Sequence, residues 1–174
     1  MTRRGPTCRR PGAPATQNGP VRVTAKVDYA VRAAVVLAAV PGPDPGPVKG
    51  EEIGRGEDIP TKYLESILTD LRHAGLVRSQ RGADGGYWLA RPADEITIAD
   101  VIRAVEGPLA NVRGERPEAV EYGETTAPMR DVWVATRAAM RAVLETTTLA
   151  DVAADRLPAR VRRLLDPPEA WEPH

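Results

Sequence analysis

Ile59-Pro-Thr-Lys-Tyr-Leu-Glu-Ser-Ile-Leu-Thr-Asp-Leu-Arg-His-Ala-Gly-Leu-Val-Arg-Ser-Gln-Arg-Gly-Ala-Asp-Gly-Gly-Tyr-Trp-Leu-Ala-Arg91 is the stretch on which the fold turns. Pro60 suits the first turn of a helix, Leu64, Ile67, Leu68 and Leu71 recur at the spacing of one helix face, and Gly75 stands where a helix stops. The opposite face opens with Thr61, Lys62, Tyr63 and Glu65. Leu76 to Arg81 and Tyr87 to Arg91 then read as two strands around Gly82-Ala-Asp-Gly-Gly86. Such a hairpin can serve as a wing: its glycines let the backbone approach another surface, and Arg78 and Arg81 set cations beside the tip. An ordinary glycine hairpin with solvated arginines would look the same in isolation. Its place directly after a helix with a polar N-terminal end favours the wing.

Upstream, Thr24 is an N-cap candidate for a helix reaching Val40, with Val27, Val31, Ala34, Val35 and Ala38 as its apolar face. Pro41 to Pro47 alternates with Gly and Asp and predicts a stiff loop, followed by a short helix from Val48 to Arg55 ended by Gly54 and Gly56. A short helix, a brief turn and a longer helix with polar side chains at its start is the helix-turn-helix layout, in which that start enters the major groove of DNA.

Downstream, Met129 to Leu144 carries Val132, Trp133, Thr136, Met140, Val143 and Leu144 near one face, more apolar surface than a small head covers by itself. Packing within the chain and pairing with a second copy both answer that need. Thr147 or Thr148 caps a short helix from Leu149 to Val152, and a last amphipathic helix sets Leu157, Val161, Leu164 and Leu165 against Arg160, Arg162 and Arg163. We expect it to dock on the dimer, a regulatory partner being the alternative. The expected fold class is mainly α with a small β-hairpin wing: a winged helix-turn-helix head plus a long dimerisation helix. The expected divisions are a disordered basic tail (1–20), the head (21–107), a loop (108–128), dimerisation helices (129–155), and a C-terminal helix with a loose tail (156–174). Val21 is a candidate alternative start.

With 174 residues, one modest core is the expectation and a second enzyme domain is not. No apolar run suits a membrane span or a leader, so the expected location is cytoplasmic. The net charge is zero but unevenly spread: residues 1–20 hold four basic and no acidic residues, 21–92 ten and nine, and 93–174 ten and fifteen. A mildly basic N-terminal face can therefore meet phosphates while the acidic half stays away. Cys8 is the single cysteine, so no intrachain disulfide can form and redox sensing by a cysteine pair within one chain is excluded. His73 and the scattered Asp28, Glu51, Glu52 and Asp70 have no nucleophile or base partner in any catalytic spacing, and no enzyme is expected.

Five ordered blocks resemble the Rrf2 family of bacterial winged-helix transcriptional regulators: Asp28-Tyr-Ala-Val-Arg32, Ile59 to Glu65, Leu71-Arg-His-Ala-Gly-Leu-Val77, Arg81-Gly-Ala-Asp-Gly-Gly-Tyr87, and Ile98-Ala-Asp-Val-Ile-Arg-Ala-Val-Glu-Gly107. The resemblance covers roughly residues 21 to 155. It implies two heads on an inverted-repeat operator in double-stranded DNA, a homodimer joined through the long helix, and DNA contacts from Lys62, Tyr63 and Glu65 with Arg81 and Gly82 in the wing. Glu can accept from cytosine and Lys can donate to guanine or phosphate. Pro60 stands where some members have serine, which removes one hydroxyl contact. Cluster-binding members carry three cysteines in the loop that here runs from Leu109 to Met129 with no cysteine or histidine. No iron–sulfur cluster, other cofactor or metal is therefore expected, and Glu115, Glu118, Glu121 and Glu124 read as solvated acids. A small molecule, a partner protein or the regulator's own concentration are candidate signals. A ligand pocket would lie between head and dimer helix, with Trp133 or Trp88 in its wall. The remaining reading is a winged interaction module that no longer binds DNA specifically.

Overall fold

The computed structural model describes residues 23–40 and 46–172. The expected basic tail with Cys8, most of the proline loop and the last two residues lie outside them. Helix α1 (Ala25–Ala38) starts at Thr24, whose hydroxyl accepts from the Val27 N–H at 3.2 Å. Its buried residues are Val27, Ala30, Ala33, Ala34 and Leu37, while Val31, Val35 and Ala38 are half-buried. The inward face is thus rotated from the expected stripe. α1 packs against α3, α4 and α6 and more lightly against α2, and Ala30, Ala33 and Ala34 lie on its buried face.

Helix α2 covers Gly50–Gly56, later than expected. Val48 does not open it: its N–H donates to the Tyr87 carbonyl at 2.9 Å and its own carbonyl accepts from Tyr87 at 2.8 Å, a bridge that ties the lead-in of α2 to the wing. Gly54 and Gly56 lie inside the helix, and the chain turns out at Asp58, a non-glycine residue with φ of 51°. Helix α3 (Thr61–His73) buries Leu64, Ile67, Leu68 and Leu71 and is closed by Gly75 at φ 71°, both as read from the spacing.

Strands β1 (Val77–Gln80) and β2 (Gly86–Leu89) pair antiparallel with Val77 opposite Leu89 and Gln80 opposite Gly86. Helix α4 (Ile98–Glu106) follows, then two short turns, α5 (Met129–Leu144), α6 (Leu149–Ala153), α7 (Ala159–Leu165) and a last turn at Pro168–Trp171. The architecture is mainly helical with a two-stranded antiparallel wing and a long C-terminal helix.

The core is continuous through α1, α3, α4 and Ile96, and Leu149 of α6 is fully buried in it. α5 differs: none of its sixteen residues is fully buried, Val132 is 50% exposed and Met129 37%. α7 packs on the final turn, where the Trp171 indole N–H donates to the Leu165 carbonyl at 2.9 Å, yet Leu164, Leu165 and Trp171 stay exposed. Among the described residues no helix is long and apolar enough to cross a membrane.

Candidate nucleic-acid interface

The three leucines and the isoleucine of α3 face inward, so the residues between them face out. Thr61, Lys62, Tyr63 and Glu65 are all exposed at the N-terminal end of the helix. A groove of about 830 Å³ runs between α2, this end of α3 and the wing, and Thr61, Glu65 and Gly82 all line it. Residues far apart in sequence are therefore brought together as a helix-turn-helix with a wing requires. Lys49 and Gln80 line the same groove and were not singled out from the sequence; one precedes α2 and the other sits in a strand, where periodicity carries no functional signal.

Lys62 and Tyr63 face the other flank of α3, in a cleft shared with Lys26 and Ser66. Lys26 is committed to structure, with its ammonium 2.8 Å from Asp70 and 3.0 Å from the Val105 carbonyl. Among the described residues Lys62 has no carboxylate partner, and the same holds for Lys49, Arg55, Arg72, Arg78, Arg81 and Arg91 around the head's α2, α3 and wing. Cations whose charge is not neutralised locally are the ones that exchange counterions for phosphates. Arg78 is separated from the groove: it stands opposite Trp88 on the hairpin and shares a depression with Arg72, Ser79 and Arg91. Arg81 and Gly82 are exposed at the turn, Gly82 at φ 114°.

The block Asp28 to Arg32 acquires a physical role here. Asp28 holds the Arg32 guanidinium at 2.6 Å, Arg32 reaches the Glu57 carbonyl at 2.7 Å, and the same guanidinium carbon lies 5.1 Å from the Tyr29 ring centre. Tyr29 meets Tyr63 edge-on at 6.0 Å and 74°. α1 thereby braces the exit of α2 and one exposed side chain of α3 through a single relay. Trp88 lines the wing depression, which no α5 residue lines, and the cleft between α4 and α5 is lined by Arg103, Arg116, Arg137 and Arg141.

The Rrf2 model, described as an iron-dependent transcriptional regulator, matches residues 23–155. The chain belongs to the Rrf2 family. A Mycobacterium tuberculosis protein assigned as the HTH-type transcriptional regulator Rv1287 is 49% identical over 152 residues, covering 87% of this chain and 93% of that one. Among solved structures, CymR (YrzC), the global cysteine regulator of Bacillus subtilis, superposes with a TM-score of 0.65 at 36% identity, covering 78% of this chain and 98% of CymR. IscR of T. potens gives a TM-score of 0.63 at 34% identity, covering 78% and 88%. This Rrf2 protein is thus an HTH-type transcriptional regulator with the winged-helix fold, of a regulatory family and not an enzyme family.

Iron in such a family needs donors. In this Rrf2 chain the 108–128 segment offers neither cysteine nor histidine, and Cys8 is the single cysteine. Glu115, Glu118, Glu121 and Glu124 are all exposed, and among the described residues no three His, Cys, Asp or Glu side chains converge. Glu118 pairs with Arg137 at 2.7 Å; its own backbone N–H, then the Arg137 hydrogen bond, hold its carboxyl below the ordinary range.

Proposed function

We propose that this Rrf2 regulator is a cytoplasmic, dimeric repressor that grips an inverted-repeat operator with the α2–α3–wing face of two heads. The observation that carries the reading is the groove in which Thr61 and Glu65 of α3 meet Gly82 of the wing, bordered by Lys49 and Arg55, which have no carboxylate partner among the described residues. In this reading Thr61 and Glu65 address base edges, Lys62 and Tyr63 hold the flanking backbone, Arg81 and Gly82 enter the neighbouring minor groove, and Arg78 holds phosphate from the back of the wing. Dimerisation falls to α5, because a helix that buries none of its residues and exposes Met129 and Val132 gains most from a second copy. The donor set does not fit an iron–sulfur cluster, since thiolate ligands are what hold one, so we infer a cluster-independent regulator.

The test is binding of metal-free protein to the DNA upstream of its own gene, followed by fluorescence anisotropy against random duplex. Tight binding that resists the competitor and weakens steeply with salt supports the reading. Equal affinity for both duplexes removes it and leaves an interaction module.

A further inference from the structure

We propose that the cleft between α4, the segment after it and α5 is a binding site for a small, multiply charged oxyanion that acts as the regulator's signal. Arg103 of α4, Arg116 of the intervening segment, and Arg137 and Arg141 of α5 line a cavity of about 340 Å³ together with Asn111 and Glu118. That volume is within the range of small-metabolite sites. Four guanidiniums drawn from three segments converge on it, and the planar fork of arginine matches carboxylate and phosphate oxygens two at a time.

The local acids do not balance these charges. Glu118 serves Arg137 at 2.7 Å, and the single carboxylate of Glu145 serves both Arg103 and, at 2.9 Å, Arg141. Asp100 reaches Arg103 at 3.7 Å while its other oxygen is engaged by Thr97. Arg116 has no carboxylate within bridging distance among the described residues. Glu145 is held below the ordinary carboxyl range by Arg103 first and Arg141 second, as expected beside surplus positive charge. The backbone here is also strained. Ala110, between the lining residues Leu109 and Asn111, sits at φ 53°, a conformation that non-glycine residues adopt where something else rewards it, whereas Arg113, at 55°, is held there by the tight turn between Val112 and Glu115.

The Arg103–Glu145 pair is the ionic link from the head to the end of α5. An anion bound in the cleft competes with Glu145 for Arg103 and Arg141, and so resets how the head is carried on α5. The regulatory consequence rests on the DNA-binding reading above; the binding itself does not.

The experiment is isothermal titration calorimetry of the full chain with citrate and, separately, with pyrophosphate at matched ionic strength, chloride serving as the blank. Saturable binding of at least one anion is expected, and the preferred arm distinguishes a carboxylate from a phosphate signal. Arg116→Gln/Arg137→Gln should weaken it at least about tenfold, as should Asn111→Asp, which adds an opposing charge while leaving every arginine in place. Arg163→Ala, on the exposed side of α7, should leave it unchanged. No saturable binding of either anion, or binding that the cleft variants keep, overturns the proposal. Operator anisotropy on the same anion-free samples reports the DNA reading independently.

Discussion

Thr97 and Thr148 face each other across an isolated antiparallel bridge, and each starts a helix: Thr97 caps α4 and Thr148 caps α6. Both build a complete capping box, with Asp100 and Asp151 as the reciprocal acids. The Ile98 N–H donates to the Thr147 carbonyl and the Leu149 N–H to the Ile96 carbonyl, both at 2.9 Å, so two helix starts are sewn together beside the buried Ile96 and Leu149.

Thr148→Ala should therefore cost about 1 kcal/mol, the usual value of a lost N-cap. Thr97→Ala should cost a similar amount, and the double variant should depart from the sum because the sites touch. Urea titrations followed by circular dichroism measure all three; a strictly additive double variant would show the two caps to be independent.

Acid should loosen the α4–α5 joint. Glu118 and Glu145 lie below their ordinary value of 4.5 and Asp151 below 3.8, the last held by the Thr148 backbone N–H and then its hydroxyl. A depressed folded-state value means stability that is present above the unfolded value and lost as pH falls through the folded one. Thermal midpoints should be flat from neutral pH to about 5 and fall below 4. Glu145→Gln should flatten part of that fall. Glu118 is exposed and Glu145 and Asp151 are only half-buried, so the loss is gradual.

Gly86→Ala should damage the wing. A Cβ there would lie 2.5 Å from the Val48 carbonyl oxygen, a backbone atom that cannot swing aside. The Val48–Tyr87 bridge has to open or the hairpin has to shift, at a cost of about 1–3 kcal/mol. Loss of operator affinity beyond the loss of stability would show that the wing's angle matters for DNA; a fold-neutral, binding-neutral variant would contradict the close approach.

Glu65→Ala and Arg81→Ala should fail differently. If Glu65 reads a base edge, its loss relaxes preference at one operator position by about 1–3 kcal/mol with little change in salt dependence. If Arg81 works through charge, its loss weakens all duplexes and lowers the salt slope by about 1. Anisotropy over a salt series with single-base operator variants separates the two, and identical profiles would remove both roles.

Much of the head was legible because its signals are local. Leu64, Ile67, Leu68 and Leu71 announce α3 by spacing, Gly75 ends it by needing positive φ, and two short strands flank a glycine-rich turn. What periodicity could not convey was close packing: α1 presents Ala30, Ala33 and Ala34 inward, and a stripe of small residues is faint beside Val31 and Val35. The start of α2 was misplaced for a similar reason, since Val48 is claimed by Tyr87, a partner 39 positions away in the chain. The arginine cleft was equally hidden. Arg103, Arg116, Arg137 and Arg141 look like solvated surface charges until α5 folds back against α4.

Alanine has no rotamers. A helix that meets its neighbours through Ala30, Ala33 and Ala34 cannot take up a displacement by letting side chains swivel, as a leucine-lined contact can. α1 touches α3, α4 and α6, so a tilt imposed at α4 should be handed on to α3 with little of it dissipated between them. In this head, little mechanical slack is left along the alanine face of the helix that joins α3, α4 and α6.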